Sequence, residues 1–250
     1  MRNAIFISSG IGNALLLVPL IKKLKEQGQL TALSTSQFGA RHIFDGIKEK
    51  LFDHVIPLET PVEWMKNTAT FSRKFDGVYM DHFASRRKNM ILSHMNSKEV
   101  ITNTIPLKLP SLFKTRIRKI KPEIGIHEAT QYMRYVNHDF NDSDLNEKLF
   151  KLSAKEHTSI SEGKYITIQP ASGNNITPWK TLAANKWTKL ISLILESYTD
   201  LNIVVLGDES EINLIPFLPK DDRVIKAIGK TELQDLPGIV SKSIVHIGND

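Results

Sequence analysis

Clusters of glycine and polar residues follow short apolar runs at several points of the chain, and the first of them is Gly10-Ile11-Gly12-Asn13. This turn follows an Ile-rich run and precedes an apolar, helix-like segment, so its backbone N–H groups could bind an anion or a polar ligand. Asn13 can orient a hydroxyl group but cannot accept its proton, because an amide is not a base. A tight turn without a ligand explains the same residues.

The first glycine turn does not complete a dinucleotide-binding fingerprint. Leu15 stands where that fingerprint needs a third glycine, and the second predicted strand runs into Thr35 and Ser36 instead of an acid. The sequence therefore argues against an NAD-dependent enzyme.

Two acid–base pairs are candidates for proton transfer. Asp81 and His82 follow the fourth predicted strand, where either could accept a proton from a substrate hydroxyl. Asp81 could also cap the N-terminus of a helix predicted over residues 84–95, and this is the role that we favour. His127 and Glu128 form the second pair, although Glu128 could simply stabilise the N-terminus of the helix that follows it.

Short runs rich in Ile and Val alternate with longer amphipathic stretches, a pattern typical of a parallel sheet with crossover helices. The first set of predicted strands covers residues 3–8, 30–34, 54–58, 75–80 and 99–102, and the second set covers residues 165–169, 202–206, 223–226 and 244–247. A polar region at residues 137–163 separates the two sets, so we expect an α/β protein with two domains, 1–150 and 151–250. Ligands of open parallel sheets bind beyond the carboxyl ends of the strands, where the candidate residues lie.

The composition is that of a globular protein, with 250 residues of which 41% are apolar and 24% are charged. The chain contains no Cys, which excludes disulfides and thiolate metal sites and fits a reducing compartment. The apolar N-terminal segment leads into Lys22 and Lys23 without a cleavage site, and no apolar run approaches the roughly 18 residues of a membrane span. The eight His residues show no metal-ligand spacing. We therefore expect a cytoplasmic, metal-free protein.

The net charge of +6 is concentrated in one segment. Residues 82–122 contain ten basic residues and one acid, Glu99, so this segment carries +9 and the remainder of the chain carries −3. Such a field attracts phosphate groups, whether on a lipid, a nucleic acid or a small substrate.

Within this basic segment Phe113, Ile117 and Ile120 have helical spacing, which predicts a basic amphipathic helix lying on an anionic membrane surface. A solvated face whose three apolar groups pack on the protein itself is the alternative. Phe83 and Phe113 are the only aromatic residues of the segment. Because stacking platforms are then sparse, we expect no nucleic-acid partner.

Several motifs resemble those of the heptosyltransferases, glycosyltransferase family 9. In the first half of the chain the resemblance covers the glycine turn and continues through residues 14–25, and a His-Glu pair ahead of a helix also fits. In the second half the matching motifs are Gln169-Pro170-Ala171-Ser172-Gly173, Trp179-Lys180, Asn185-Lys186-Trp187, Val204-Val205-Leu206-Gly207-Asp208-Glu209, Ile228-Gly229-Lys230-Thr231 and Gly248-Asn249-Asp250. The resemblance covers nearly the entire chain.

The resemblance implies the GT-B architecture, in which two Rossmann-like lobes enclose an active-site cleft, and inverting, metal-independent transfer of a sugar. The donor would be a nucleotide-sugar, ADP-heptose in the family. The acceptor would be a phosphorylated glycolipid of the lipopolysaccharide core, reached at the inner face of the cytoplasmic membrane. No cofactor besides the donor substrate is implied.

The same resemblance assigns roles to individual residues. Lys180 would contact the donor diphosphate, which gains charge as the glycosidic bond breaks, and either Glu209 or Glu211 would hydrogen-bond the donor ribose. The other donor-binding candidates are Ser172, Asn249 and Asp250. The acceptor-binding candidates come from the glycine turn and from the charge of the basic segment, and they are Gly10, Gly12, Arg86, Arg87, Lys114, Arg116 and Arg118. Family members carry an Asp, taken as the catalytic base, where this chain has Asn13, so the catalytic candidates are Asn13 with Asp81 and His82 as substitute bases.

The family pattern continues from Gly-Asn-Asp into Ser-Gly and a His, whereas this sequence ends at Asp250. We therefore expect an incomplete second lobe. If these residues are the whole protein, a weakened donor site and an exposed sheet edge or helix face follow, and a fragment of a longer protein is the simpler explanation. Together with Asn13, the ending motivates an alternative function, a catalytically degenerate protein that retains nucleotide-sugar or membrane binding.

Overall fold

A computed structural model describes residues 1–7, 10–34, 51–58, 60–81, 85–103, 115–145, 160–161, 163–171, 182–233 and 235–249. The chain divides into two compact units, Met1–Lys151 and Leu152–Asp250. Each unit contains a sheet whose described strand pairs are all parallel, accompanied by helices. The expected α/β class with two Rossmann-like units is confirmed.

The sheet of the first unit has six strands in the order β3-β2-β1-β4-β5-β6. Their bounds are β1 Arg2–Ile7, β2 Gln29–Ser34, β3 His54–Pro57, β4 Phe75–Tyr79, β5 Ser97–Thr102 and β6 Arg116–Lys119. The central strand β1 pairs through Ile5 with Ala32 on one side and with Tyr79 on the other. The strand order reverses between β1 and β4, which is where ligands of open α/β sheets bind.

The helices of the first unit are α1 Ile11–Leu16, α2 Val18–Glu26, α3 Pro61–Lys66, α4 Thr68–Phe71, α5 Arg86–His94 and α6 Glu128–Met133, followed by a short 3-10 helix at Asp142–Asp144. Alternate residues of a strand face opposite sides of a sheet. Ala4 and Phe6 of β1 accordingly share a core cluster with Ile91 and Leu92 of α5. Pro19 lies in the first turn of α2, where its missing N–H leaves no helical hydrogen bond unmade.

The sheet of the second unit has four strands in the order β10-β7-β8-β9. The elements are β7 Tyr165–Gln169, α7 Ala184–Ser197, β8 Asn202–Val205, a 3-10 helix at Glu209–Phe217, β9 Val224–Lys226, α8 Leu236–Lys242 and β10 His246–Gly248. Helix α7 presents Trp187, Ile191 and Leu195, spaced four residues apart, to Ile168 and Val205 of the sheet. On another part of the sheet Tyr165 donates a hydrogen bond to the Ile239 carbonyl of α8 at 2.7 Å.

All nine predicted strands are present, each within two residues of its predicted ends. The structure adds β6, which the sequence did not predict. The amphipathic helix expected from Phe113, Ile117 and Ile120 is wrong for the part that is described, because residues 116–119 extend along β5 as an edge strand. Ile117 is 46% exposed, so it does not pack into a core either, and Phe113 lies outside the described residues.

None of the helices in the described ranges has the length and apolar character that crossing a bilayer requires.

Candidate functional site

The glycine turn after β1 has an ordinary backbone conformation. Gly10 is the N-cap residue of α1, with φ −85° and ψ 142°, which any residue can adopt. A Cβ atom at Gly12 would meet no heavy atom within 4 Å, so neither strain nor crowding requires glycine there. The open space above Gly12 leaves its backbone accessible to a ligand. Asn13 is half-buried, and its Nδ2 lies 3.7 Å from the point that a Cβ of Gly10 would occupy.

A buried ion pair lies at the carboxyl end of β4. Asp81 is 0% exposed and Lys88, in the first turn of α5, is 5% exposed, and Nζ of Lys88 lies 2.5 Å from Oδ1 of Asp81. Asp81 is not the N-cap of this helix, contrary to our expectation. Ser85 has that role, since its Oγ accepts a hydrogen bond from the N–H of Lys88 at 3.1 Å. The helix begins at Arg86, which places Asp81 four residues before the cap.

The ion pair changes what Asp81 can do as a base. A carboxylate that contacts an ammonium group and is closed to solvent cannot reach an acceptor hydroxyl without rearrangement of α5. Its neighbour His82 lies outside the described residues.

Two arginines begin α5 beside this pair. Arg86 is exposed and Arg87 is half-buried, and the first turn of the helix contains no acid. Cations in the first turn of a helix interact unfavourably with the helix dipole, because its N-terminal end is positive. The turn therefore carries a strong positive potential, which suits an anionic ligand.

Two other basic candidates, Arg116 and Arg118, share the carboxylate of Glu99. Nε of Arg118 lies 3.1 Å from Oε2 of Glu99, and its Nη2 donates to the Tyr135 carbonyl at 2.9 Å. Nε of Arg116 lies 3.7 Å from Oε1 of Glu99. Arg116 begins β6, at the opposite end of the sheet from the carboxyl edge that α5 follows. The structure thus does not bring Arg116 to Arg86 and Arg87, and Lys114 lies outside the described residues.

The second acid–base pair serves the start of α6. His127 is the N-cap residue, and its Nδ1 accepts a hydrogen bond from the N–H of Ala129 at 3.3 Å. Glu128 lies in the first turn, where a negative charge is favourable, and Tyr132 donates to its Oε1 at 3.3 Å. This arrangement accounts for the pair without a catalytic role.

In the second unit, Asn249 connects the carboxyl ends of two neighbouring strands. Its backbone N–H donates to the Gln169 carbonyl at 3.3 Å, and its Nδ2 donates to the Pro170 carbonyl at 2.5 Å. These two hydrogen bonds hold the segment after β10 against the end of β7. Three donor-binding candidates, Ser172, Lys180 and Asp250, lie outside the described residues. Trp187 is buried in the core of the second unit, and Lys186 is exposed near the start of α7.

The two candidate acids after β8 have different environments. Asp208 caps the 3-10 helix at Glu209–Phe217, and Glu211 completes a capping box by accepting a hydrogen bond from the N–H of Asp208 at 3.2 Å. Glu211 is 6% exposed, whereas Glu209 is exposed. The sequence left these two acids equivalent, and only the capping geometry distinguishes them.

Two glycines make room for this arrangement. A Cβ atom at Gly207 would lie 2.5 Å from Oε2 of Glu211, closer than any real contact, so the carboxylate lies directly against the Gly207 backbone. Gly229, three residues after the end of β9, has φ +70° and donates its N–H to the Gly207 carbonyl at 3.0 Å. The edge of the second sheet is therefore closely packed around a fixed carboxylate.

In the part of the chain that the structure describes, no three His, Asp or Glu side chains converge on a point that could hold a metal ion.

Comparisons with known proteins identify the fold. No protein-family model matches the sequence, and no curated protein sequence matches it. Among solved structures, the family 9 glycosyl transferase of Veillonella parvula matches 100% of this chain and 75% of its own, with a TM-score of 0.72 and 13% identity. ADP-heptose lps heptosyltransferase II of E. coli matches 100% of this chain and 79% of its own, with a TM-score of 0.71 and 14% identity.

A third solved structure, E. coli heptosyltransferase WaaC with ADP-2-deoxy-2-fluoro heptose, matches 100% of this chain and 83% of its own, with a TM-score of 0.65 and 13% identity. The chain thus has the fold of the family 9 glycosyltransferases and heptosyltransferases, as the resemblance of its motifs implied. At these identities the likeness concerns the fold.

Proposed function

We propose that the protein is a glycosyltransferase that transfers heptose from ADP-heptose to an anionic, lipid-linked acceptor of the lipopolysaccharide-core type. The observation that carries this proposal is the fold, shared over the whole chain with three glycosyltransferases at TM-scores of 0.65 to 0.72. Candidate residues at the carboxyl edges of both sheets support it, because parallel sheets bind ligands at those edges.

Donor binding is assigned to the second unit. A ribose diol needs a carboxylate that accepts two hydrogen bonds, and Glu211 is held in place by the Asp208 N–H and the Gly207 backbone. We assign the ribose contact to Glu211 because a fixed group loses less freedom on binding than the exposed Glu209. Asn249 holds the neighbouring edge, and Ser172, Lys180 and Asp250 remain the proposed diphosphate contacts.

Acceptor binding is assigned to the first unit. Arg86 and Arg87 extend the positive end of α5 and would attract acceptor phosphates. Gly10 and Gly12 let the acceptor approach the backbone, with open space above Gly12. Arg118 is engaged by Glu99 and Tyr135, so its proposed contribution is to the shape of the unit and not to phosphate binding.

The reaction proposed is an inverting displacement. The acceptor oxygen forms a bond with the anomeric carbon, the bond from that carbon to the diphosphate breaks, and ADP leaves with the electron pair. Lys180 would balance the charge of the leaving ADP without a metal. Asn13 would orient the acceptor hydroxyl. Since the carboxylate of Asp81 forms an ion pair with Lys88, we propose His82 as the group that accepts the hydroxyl proton.

The test is an ADP-release assay with the full chain, ADP-heptose and a deacylated lipid acceptor. Release that depends on the acceptor, and that persists with EDTA, supports the enzyme. Hydrolysis without acceptor serves as the control. If no acceptor-dependent release of ADP is detected over hours, the proposal is contradicted.

The second candidate function is a degenerate protein that binds a nucleotide-sugar, or an anionic membrane, without turnover. Asn13 favours it, because an amide stands at the turn where the resembling family carries its base. Measurable binding of ADP combined with no ADP release supports this candidate. Co-sedimentation with vesicles containing anionic lipid tests its membrane-binding form, with neutral vesicles as the control.

A further inference from the structure

A chain of hydrogen bonds joins α8, β7 and β10 in the second unit. Oγ of Ser243 donates to the Val240 carbonyl at 2.8 Å, and Oγ1 of Thr167 donates to Oγ of Ser243 at 3.3 Å. Nδ1 of His246 lies 2.9 Å from the same Thr167 oxygen. The buried Thr167 hydroxyl therefore contacts both Ser243 and the Nδ1 side of the imidazole, which fixes the orientation of the ring.

The other ring nitrogen, Nε2, faces the carboxyl end of β10. His246 pairs with Thr167 and Gly248 pairs with Gln169, so Gly248 lies two residues farther along the same face of the strand. A Cβ atom at Gly248 would lie 3.0 Å from Nε2 of His246. The missing side chain therefore gives the imidazole room to extend toward the edge that Asn249 fixes.

The two ends of this chain differ in exposure. Thr167 is 0% exposed, whereas His246 is exposed. The inner nitrogen of the imidazole is thus satisfied by a buried hydroxyl, and the outer nitrogen is presented at the surface in one orientation. A ring that is oriented before a ligand arrives loses little freedom when the ligand binds.

We propose that His246 binds the donor, with Nε2 hydrogen-bonded to a phosphate oxygen of the nucleoside diphosphate, and that Thr167 is the positioning residue that orients the ring. This inference rests on the proposed function. In this arrangement the N–H of Nε2 donates the hydrogen bond and the phosphate oxygen accepts it.

Two amide substitutions separate ligand binding from a structural role. The side-chain amide of His246→Asn reproduces the position of Nδ1, and that of His246→Gln reproduces the position of Nε2. Isothermal titration of the full chain with ADP should show an affinity about tenfold weaker for His246→Asn, whereas His246→Gln should keep most of the wild-type affinity. The affinity for adenosine, which has no phosphate, should be the same in all three proteins.

A purely structural role predicts the reverse order. His246→Asn would then keep both the contact with Thr167 and the ADP affinity, while His246→Gln would lower the melting temperature. That pattern overturns the inference, as does equal ADP affinity in all three proteins. If the wild type binds no ADP, the proposed donor site itself fails and the inference falls with it.

Thr167→Val provides a second measurement that keeps the imidazole. It should weaken ADP binding less than His246→Asn does, because Nε2 remains but its orientation is lost. Combined with His246→Asn it should cause no further loss, since the two residues act through one contact. Additive losses would contradict the positioning role of Thr167.

Discussion

Nζ of Lys88 lies 2.5 Å from Oδ1 of Asp81, and both side chains are buried. Asp81 follows β4 and Lys88 lies in the first turn of α5, so the pair fixes the start of this helix at the carboxyl edge of the sheet. A buried ion pair contributes little net stability, because desolvation offsets the attraction, but removal of one partner leaves a buried charge. The pair also determines where Arg86 and Arg87 are presented.

Lys88→Met should lower the free energy of unfolding by about 3 kcal/mol, because the carboxylate of Asp81 then stays buried without its ammonium partner. Urea-induced unfolding followed by circular dichroism measures the change. Arg86→Met is the matched control, since it removes an exposed cation from the same turn and should leave stability within about 0.5 kcal/mol or slightly raise it. Equal stability of the two variants would show that the buried pair has no such role.

The ion pair between Asp53 and Lys25 should make stability depend on pH. The hydrogen bond from Lys25 at 2.6 Å, with a second from the N–H of Leu30, holds the pKa of Asp53 below its ordinary value of 3.8. The folded protein therefore binds the proton less readily than the unfolded chain. The stabilisation is fully present above the unfolded pKa and is lost as the pH falls through the folded pKa.

Because both groups are partly exposed, the contribution at neutral pH should be below about 1 kcal/mol. Asp53→Asn keeps an oxygen for the Leu30 N–H but cannot ionise. The wild type should therefore be more stable than Asp53→Asn at about pH 6, and the difference should vanish near about pH 2. Urea unfolding at the two pH values measures it. A difference that does not change with pH contradicts the assignment to the ion pair.

The sequence predicted the interior of the fold better than its edge. Strands such as β1 and β7 contain short apolar runs that are buried in the sheet, a pattern typical of parallel strands covered on both faces. Strand β6 was missed because three of its four residues are basic. An edge strand needs only backbone pairing on one side, so its side chains carry no pattern of burial.

The sequence predicted where the candidate residues lie relative to the strands, but not their contacts. Asn13 and Asp81 follow predicted strands, and Asn249, which the family resemblance assigned, follows β10. The pairing of Asp81 with Lys88 depends on where α5 begins, and helix ends are set by capping contacts that sequence patterns locate only to within a few residues. The same applies to Glu211, whose burial follows from the capping box with Asp208.

Asn13→Asp should raise the rate of acceptor-dependent ADP release at least tenfold, because general bases contribute about 10²-fold or more to such reactions. The substitution preserves shape, and Asn13 lies in the first turn of α1, where a negative charge should add about 0.3 to 1 kcal/mol of stability. The affinity for ADP should not change. A variant that is folded, slightly more stable and no faster would mean that the glycine turn does not face the acceptor hydroxyl.

Glu211→Gln should weaken ADP binding about tenfold, because a neutral amide replaces the carboxylate proposed to accept hydrogen bonds from the ribose. Folding should be largely retained, since the Gln oxygen can still accept from the N–H of Asp208. Glu209→Gln, which changes an exposed acid of the same turn, is the matched control and should bind ADP as the wild type does.

Titration with 2′-deoxy-ADP tests the same contact from the ligand side. Loss of the 2′-hydroxyl should weaken ligand binding to the wild type but should hardly change binding to Glu211→Gln. If instead Glu209→Gln is the variant that loses affinity, the exposed acid binds the ribose and Glu211 serves only to cap its helix.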